Sequence, residues 1–511
     1  MQLPKRLFVL SPYRLRRTTL VACFCAAVLA GLGIGRVVSV SSIVIWISLA
    51  VWLVLVKLGS RGLLIVLIAL GLSIGATRAS DLTQKVAGYN GLFGKLITVQ
   101  GSAVDDAVYG KQTQLVFDMQ HISKDGAPLP GKLGIKGFGA LAIFRNDTVT
   151  VTGKLSPGKG SYIGWISYGT LTVKHNAPSP VDAVRRKFNA GILSALPEPL
   201  GSFGLGLLIG QRNTLPQTVT DDLKHVGLTH IIAVSGYNLT IILLASQRFL
   251  GKRSKYQFTV MSLLLIGVFL LLAGGSPSII RAAIVSVLSL AAWYYGRSFK
   301  PYVLILLAAA ITGYANPLYV WSDAGWWLSF LAFFGVMIVS PLIGPWLVRS
   351  KRLRESIPVS VGLESVCAEL MTIPYVLHTF GQVSLVGLLA NVLVTALVPL
   401  GMLLALIAGL SGMLVPMVSG WFAWPALALL SYMLDVAHIL ARAPHVFLDN
   451  LFLSLAGMLG LYIIVLSITV ILTHKTKLEQ LKHDIITDEI ARNNRANKKQ
   501  PEQQLAKKVF V

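Results

Sequence analysis

The residues Gly204–Leu244, GLGLLIGQRNTLPQTVTDDLKHVGLTHIIAVSGYNLTIILL, decide how the chain is read. A glycine-rich apolar segment gives way to a polar link carrying Asp221 and Asp222. His230, an Ala-Val-Ser-Gly step at Ala233–Gly236 and Asn238 follow, inside an apolar run with the character of a membrane span. Hydrocarbon offers no partners for polar groups, so each unpaired one is costly there. Polar residues at membrane depth are therefore read first as functional.

Working outward, composition agrees with a membrane setting. The 511 residues are 54% hydrophobic and 13% charged, against about 25% charged in an ordinary soluble domain. Apolar runs long enough to span recur between Thr18 and Leu472, which predicts a polytopic α-helical membrane protein. Lys and Arg number 45 against 21 Asp and Glu, a formal charge of +24. The bland reading of that excess is topological bias and contact with anionic membrane lipid; the sharper one is a polyanionic substrate. Cys23, Cys25 and Cys367 form no CxxC, and the nine histidines form no HxH, HExxH or HxHxDH cluster. No metal site or cofactor is expected from these patterns. Gly153–Lys159 resembles a phosphate-binding loop, but Gly160 stands where Ser or Thr is required and the surroundings are strand-like, so it reads as a turn.

Residues 1–80 are expected to hold N-terminal transmembrane helices: a basic leader (Lys5, Arg6, Arg14, Arg16, Arg17), then apolar runs Thr18–Val38, Ile43–Val56 and Leu63–Ala76. A retained signal-anchor fits better than a cleaved signal. The Gly31/Gly35 and Gly71/Gly75 pairs have the spacing of close helix packing.

Residues 81–178 change period. Short alternating stretches at Leu96–Gly101, Gln114–Met119, Lys132–Ile135, Ala140–Phe144, Val149–Leu155 and Gly169–Val173 predict a small OB-like β-barrel outside the cytoplasm. From Lys95 to Lys174 the stretch holds nine Lys/Arg and five Asp. Tyr109, Phe117, Phe144, Tyr162, Trp165 and Tyr168 are interleaved with them. Cations for phosphates and rings for bases are the chemistry of single-strand binding, although such rings also fill barrels. The candidate DNA-binding residues are Lys95, Lys111, Lys132, Lys136, Arg145, Lys154, Lys159, Tyr162 and Trp165.

Residues 179–476 read as a channel-type transmembrane domain. Val184, Phe188, Ile192 and Leu196 keep helical spacing with Arg185, Arg186 and Lys187 between them, predicting an amphipathic helix. Pro197, Pro199 and Gly201 then break the chain before Leu205–Ile209, which dips into the membrane or lies flat. Spans follow to Leu472, with the strongly basic junctions (Arg248–Lys255, Arg297–Lys300, Arg349–Arg354, Lys475–Lys477) on one side. That alternation predicts about twelve spans in all, plus the re-entrant or interfacial segment, with both termini cytoplasmic. Residues 477–511 are a polar tail.

Four segments together resemble the ComEC-type competence protein family, the inner-membrane DNA-uptake channel of transformable bacteria. GLTHIIAVSGYNLTII (Gly227–Ile242) is similar to its Gly-x-x-His step to Ser-Gly. GGSPSIIRAAIVS (Gly274–Ser286) matches its Pro-Ser-x-x-Arg-Ala turn, and SDAGWWLSFLAFFGV (Ser322–Val336) its Asp before Leu-Ser-Phe. ELMTIPYVLHTFGQVSLVGLLANVLVTALVPL (Glu369–Leu400) matches its Pro, Phe-Gly, Ser-Leu and Ala-Asn. The family's His after Ser-Gly-Leu is replaced here by Tyr237-Asn238, and its Phe-Gln by Trp326-Trp327. Many members continue into a metallo-β-lactamase-like domain, whose HxHxDH is missing here, so nuclease activity is not carried over.

The resemblance implies a channel that passes single-stranded DNA inward during natural transformation, in the cytoplasmic (inner) membrane and without catalysis by this chain. A DNA-receptor protein outside, a motor or strand-binding protein inside and a separate nuclease are the implied partners. The expected channel or outer-vestibule residues are Asp221, Asp222, His230, Ser235, Gly236, Asn238, Arg281, Asp323, Glu369 and Asn391. Arg281 is expected beside Asp323 or the Asp221/Asp222 pair, because a buried guanidinium needs a carboxylate or a wet cavity. Two rivals remain: a channel or transporter for another anionic polymer or solute, and a membrane hydrolase using His230, Ser235 and an Asp. The latter needs a geometry that spacing alone does not supply.

Overall fold

The computed structural model describes residues 17–38, 59–109, 114–158, 160–177, 179–211, 215–232, 254–273, 277–296, 300–348, 350–354 and 356–475. Ile43–Val56, the span through residues 233–253 and the polar tail of residues 477–511 lie outside them.

The helices Arg17–Ile34 and Gly59–Ala87 pack backbone to backbone. A Cβ on Gly31 would strike the Leu72 carbonyl, and one on Gly75 the Val28 carbonyl. The two small-residue pairs seen in the sequence thus face each other, and glycine is what allows the approach. The second helix runs on to Ala87, past the expected boundary at residue 80. Tyr89 then closes the bottom of the barrel, fully buried, with its hydroxyl donating to the Pro130 carbonyl at 2.8 Å.

Five strands form a closed ring: β1 (Leu96–Ala103) pairs with β3 (Leu115–Lys124), β3 with β5 (Leu133–Phe138), β5 with β7 (Gly164–Lys174), β7 with β6 (Thr148–Pro157), and β6 with β1. The β5–β7 pair is parallel and the others antiparallel, which is the OB arrangement. Short strands β2 (Val108–Tyr109) and β4 (Ala127–Leu129) hang on β3. Strict alternation places Ile97, Val99, Phe117, Met119, Ile135, Val151 and Ile166 inside, each worth about 1.5–3 kcal/mol on burial. Phe117, one of the rings noted in the sequence, is therefore core. Ala140–Phe144 is not the expected strand. The buried Asp147 carboxylate accepts the Phe144 N–H at 2.8 Å and the His175 ring N–H at 2.7 Å, which turns the chain into a loop there.

In the helical part, one apolar core joins Phe188 and Ile192 to residues as distant as Met433 and Ala437. Seven helices among the described residues are long and apolar enough to cross a membrane: Arg17–Ile34, Gly62–Ala87, Ala324–Leu347, Val359–Thr379, Gly387–Leu414, Pro416–Ala441 and Leu455–Lys475. Lys255–Leu271, Ser278–Tyr294 and Pro301–Ala315 are shorter apolar helices. This is a membrane protein carrying a barrel domain. Every residue of Leu200–Ile209 is buried, the condition under which a short helix can sit at membrane depth.

The Pro180–Ala195 helix corrects one expectation. Val184, placed on the apolar stripe by its spacing, is exposed, while Asp182 and Arg185 are buried with Phe188, Gly191 and Ile192. Two contacts rotate the buried face. Arg185 Nη1 approaches Asp105 of the barrel at 3.7 Å, and Gly191 lies against the backbone of Gly409, Gly412 and Met413.

Candidate nucleic-acid interface

OB-type barrels bind oligonucleotides on the face of their second and third strands and the neighbouring loops. In this barrel those strands are β3 and β5, and the β6–β7 loop lies beside them, with Tyr162 against Asp118 and the Ile163 N–H donating to the Lys132 carbonyl at 3.0 Å. Trp165 on β7 lies opposite Gly134 on β5, and any Cβ at Gly134 would strike the indole at 2.5 Å. Tyr162 packs on Trp165 with centroids 4.8 Å apart, and Lys136 Nζ sits 5.3 Å from the indole centroid. Farther along the same parallel seam, Phe138 and Tyr168 are 6.5 Å apart, with Tyr168 70% exposed at a left-handed φ of 57°. A non-glycine residue in that region holds backbone strain of the kind that accumulates at functional sites.

Lys132 and Tyr162 both bind Asp118 Oδ2, each at 3.1 Å. Lys132 is thus half-buried and already neutralised, unlike the exposed Lys136, Lys95 and Lys154. Burial, and then the Asp118 carboxylate, raises the Tyr162 hydroxyl above the usual phenol range, so it stays a neutral donor. Arg145 is drawn toward the Pro180–Ala195 helix, its guanidinium 3.9 Å from Asp182, while its backbone N–H donates to Asp106 at 2.9 Å. Lys111 and Lys159 lie outside the described residues.

The β6–β7 loop reaches the helical domain. Ser322 Oγ donates to the Gly160 carbonyl at 2.7 Å. The next residue, Asp323, caps the Ala324–Phe334 helix by accepting the Trp326 N–H at 2.8 Å. Arg281, buried in the Pro277–Tyr294 helix, donates from Nη2 to the Gly325 carbonyl at 2.9 Å and to Ser278 Oγ at 3.1 Å. Arg281 therefore stands against the first turn of the helix that Asp323 caps, with no ion pair to Asp323 within 4.0 Å among the described residues.

Asp221 and Asp222 lie elsewhere. Asp222 accepts from His438 Nδ1 at 2.7 Å, and Asp221 from Gln217 at 3.0 Å. Asp222, Asp435 and His438 line a cavity of ≈ 230 Å³ with Pro199, Thr218 and Leu434. Among the described residues no group of three or more His, Cys, Asp or Glu is placed to hold a metal. His230 is exposed, its Nδ1 donating to the Gly227 carbonyl at 3.1 Å. Glu369 accepts from Asn391 at 2.7 Å, and Asn391 in turn accepts from Thr395 at 3.2 Å. Ser235, Gly236 and Asn238 lie outside the described residues.

Sequence reasoning missed Phe138 and His438. An exposed Phe beside Lys136 on a short strand was a readable signal for the first. His438 finds Asp222 across 216 positions, which no local pattern announces.

The chain belongs to the competence protein family, whose model ("Competence protein") matches residues 207–475. It is also similar to ComE operon protein 3 of Bacillus subtilis (strain 168), 25% identical over 206 residues. That match takes in 39% of this chain and 25% of the relative, so only about a quarter of the relative's length is spanned. No solved structure matches the chain.

Proposed function

We propose that this chain is the inner-membrane channel component that passes single-stranded DNA into the cytoplasm during natural transformation. The observation that carries the reading is the juncture at Gly160 and Ser322. It sets the Lys136–Trp165–Tyr162 face of the barrel beside the turn at Asp323, whose Gly325 carbonyl accepts from Arg281. Membership of the competence family supports DNA as the cargo. In this reading about twelve spans cross the membrane. The barrel projects outward, the Leu200–Ile209 helix is re-entrant, and both termini are cytoplasmic. Bases stack on the exposed rings while phosphates meet the lysines, so binding weakens steeply with salt. A receptor outside delivers the strand, a motor or strand-binding protein inside draws it in, and a separate nuclease removes the complementary strand.

A deletion strain scored for uptake of labelled DNA, separately from recombination, tests the reading; uptake at the parental level would overturn it. The rival cargo, another anionic polymer or solute, is tested on purified protein. Labelled single-stranded DNA should bind more tightly than an equally charged polysaccharide, and equal binding would favour the rival.

A further inference from the structure

Arg281 is 3% exposed, yet among the described residues its Nε and Nη1 have no hydrogen-bond acceptor. Nη2 is engaged by the Gly325 carbonyl and Ser278 Oγ. The Phe330 ring lies 6.0 Å from the guanidinium carbon and leaves one face apolar. Asp323 is the acid within electrostatic reach, but it makes no direct ion pair and uses an oxygen to cap its own helix. Residues 274–276, which lead into its helix, contain no Asp or Glu. A buried guanidinium short of both counter-charge and acceptors is unfavourable unless an anion completes it.

We propose that Arg281 is a phosphate-binding residue, its free nitrogens taking the oxygens of a phosphodiester group. Guanidinium suits that ligand because its planar donors match phosphate oxygens and it sheds water more readily than an ammonium. Both nitrogens are closed off from solvent, so an arriving phosphate must shift the capped turn at Asp323 or displace the Gly325 carbonyl. Binding is thereby coupled to opening of the Ser322–Gly325 turn, which the barrel loop contacts at Gly160. The inference deepens the channel reading and rests on it for one source, the DNA backbone. A phospholipid headgroup presents the same chemistry.

The test uses the full chain in nanodiscs of phosphatidylcholine, alone or with phosphatidylglycerol, and a labelled single-stranded oligonucleotide titrated across a salt series. Arg281→Gln should weaken binding about tenfold and lower the salt slope by about 1. Arg281→Lys should keep the slope with a smaller loss, and serves as the readout if the glutamine variant does not fold. Trp165→Ala should weaken binding with the slope unchanged. If oligonucleotide affinity stays at the wild-type level in Arg281→Gln but phosphatidylglycerol retained through purification falls, the phosphate is the lipid's and the site stands. If no variant or wild type binds the oligonucleotide while lipid retention still depends on Arg281, the DNA-channel reading falls and the phosphate site survives. Wild-type affinity, slope and lipid retention in Arg281→Gln would overturn the proposal.

Discussion

Ser322 Oγ and the Gly160 carbonyl oxygen are 2.7 Å apart, a hydrogen bond that joins the barrel loop to the residue before a helix cap. It is a single neutral bond at an exposed site, worth about 1 kcal/mol at most. Ser322→Ala should therefore leave the fold intact and loosen the loop. Hydrogen exchange at Ile163 and its neighbours should rise several-fold in the variant, and unchanged exchange would mean the contact does not hold the loop.

Lys136 Nζ and the tilted Tyr162 ring lie 5.3 Å and 4.8 Å from the Trp165 indole centroid, and stacked bases are worth about 1–3 kcal/mol each. Trp165→Ala is expected to weaken single-stranded DNA binding by that amount in an anisotropy titration. Phe117→Ala, by contrast, should lower the melting temperature, because that ring is 4% exposed within the barrel core.

Tyr162 carries a pH prediction with a definite sign. Its folded-state hydroxyl titrates above the unfolded phenol value of about 10, chiefly through burial. The stabilisation is fully present below that value and is lost as pH rises beyond it. Denaturant titrations of wild type and Tyr162→Phe should converge in their pH dependence below pH 9, with the Phe variant losing less stability on the alkaline side.

Glu369 has its Oε1 bonded to Asn391 at 2.7 Å within an apolar helical setting. Asn391→Leu removes that donor and should cost about 1–3 kcal/mol, read as a fall in melting temperature in detergent. Glu369→Gln, which removes the charge and keeps an amide oxygen as acceptor, should fall less. A larger loss for Glu369→Gln would mean that the charge itself is needed.

Gly412 backs directly onto the Gly191 carbonyl. Gly412→Leu has to push the Pro180–Ala195 helix away from Val398–Leu414 and so should lower stability by at least about 1–3 kcal/mol. Gly420→Ala meets nothing within 4 Å and is the matched control.

Much of this was legible in the chain itself. Composition and long apolar runs dictate membrane residence, because hydrocarbon tolerates little else. Two-residue alternation between Leu96 and Val173 dictates a barrel, because successive strand residues face opposite sides. The GxxxG pairs announced a close helix contact. The motifs from Gly227 to Leu400 were enough to reach the family. Tertiary structure alone decided which charges are engaged. Lys132 and Lys136 look alike in sequence, yet one is neutralised by Asp118 and the other lies exposed beside Trp165. Asp222 meets His438 rather than Arg281, and Arg281 comes to rest against Gly325 with two nitrogens unpaired among the described residues. These outcomes depend on contacts between residues 14 to 216 positions apart. Local spacing carries periodicity and turn chemistry, but it does not encode which distant side chain completes a buried charge.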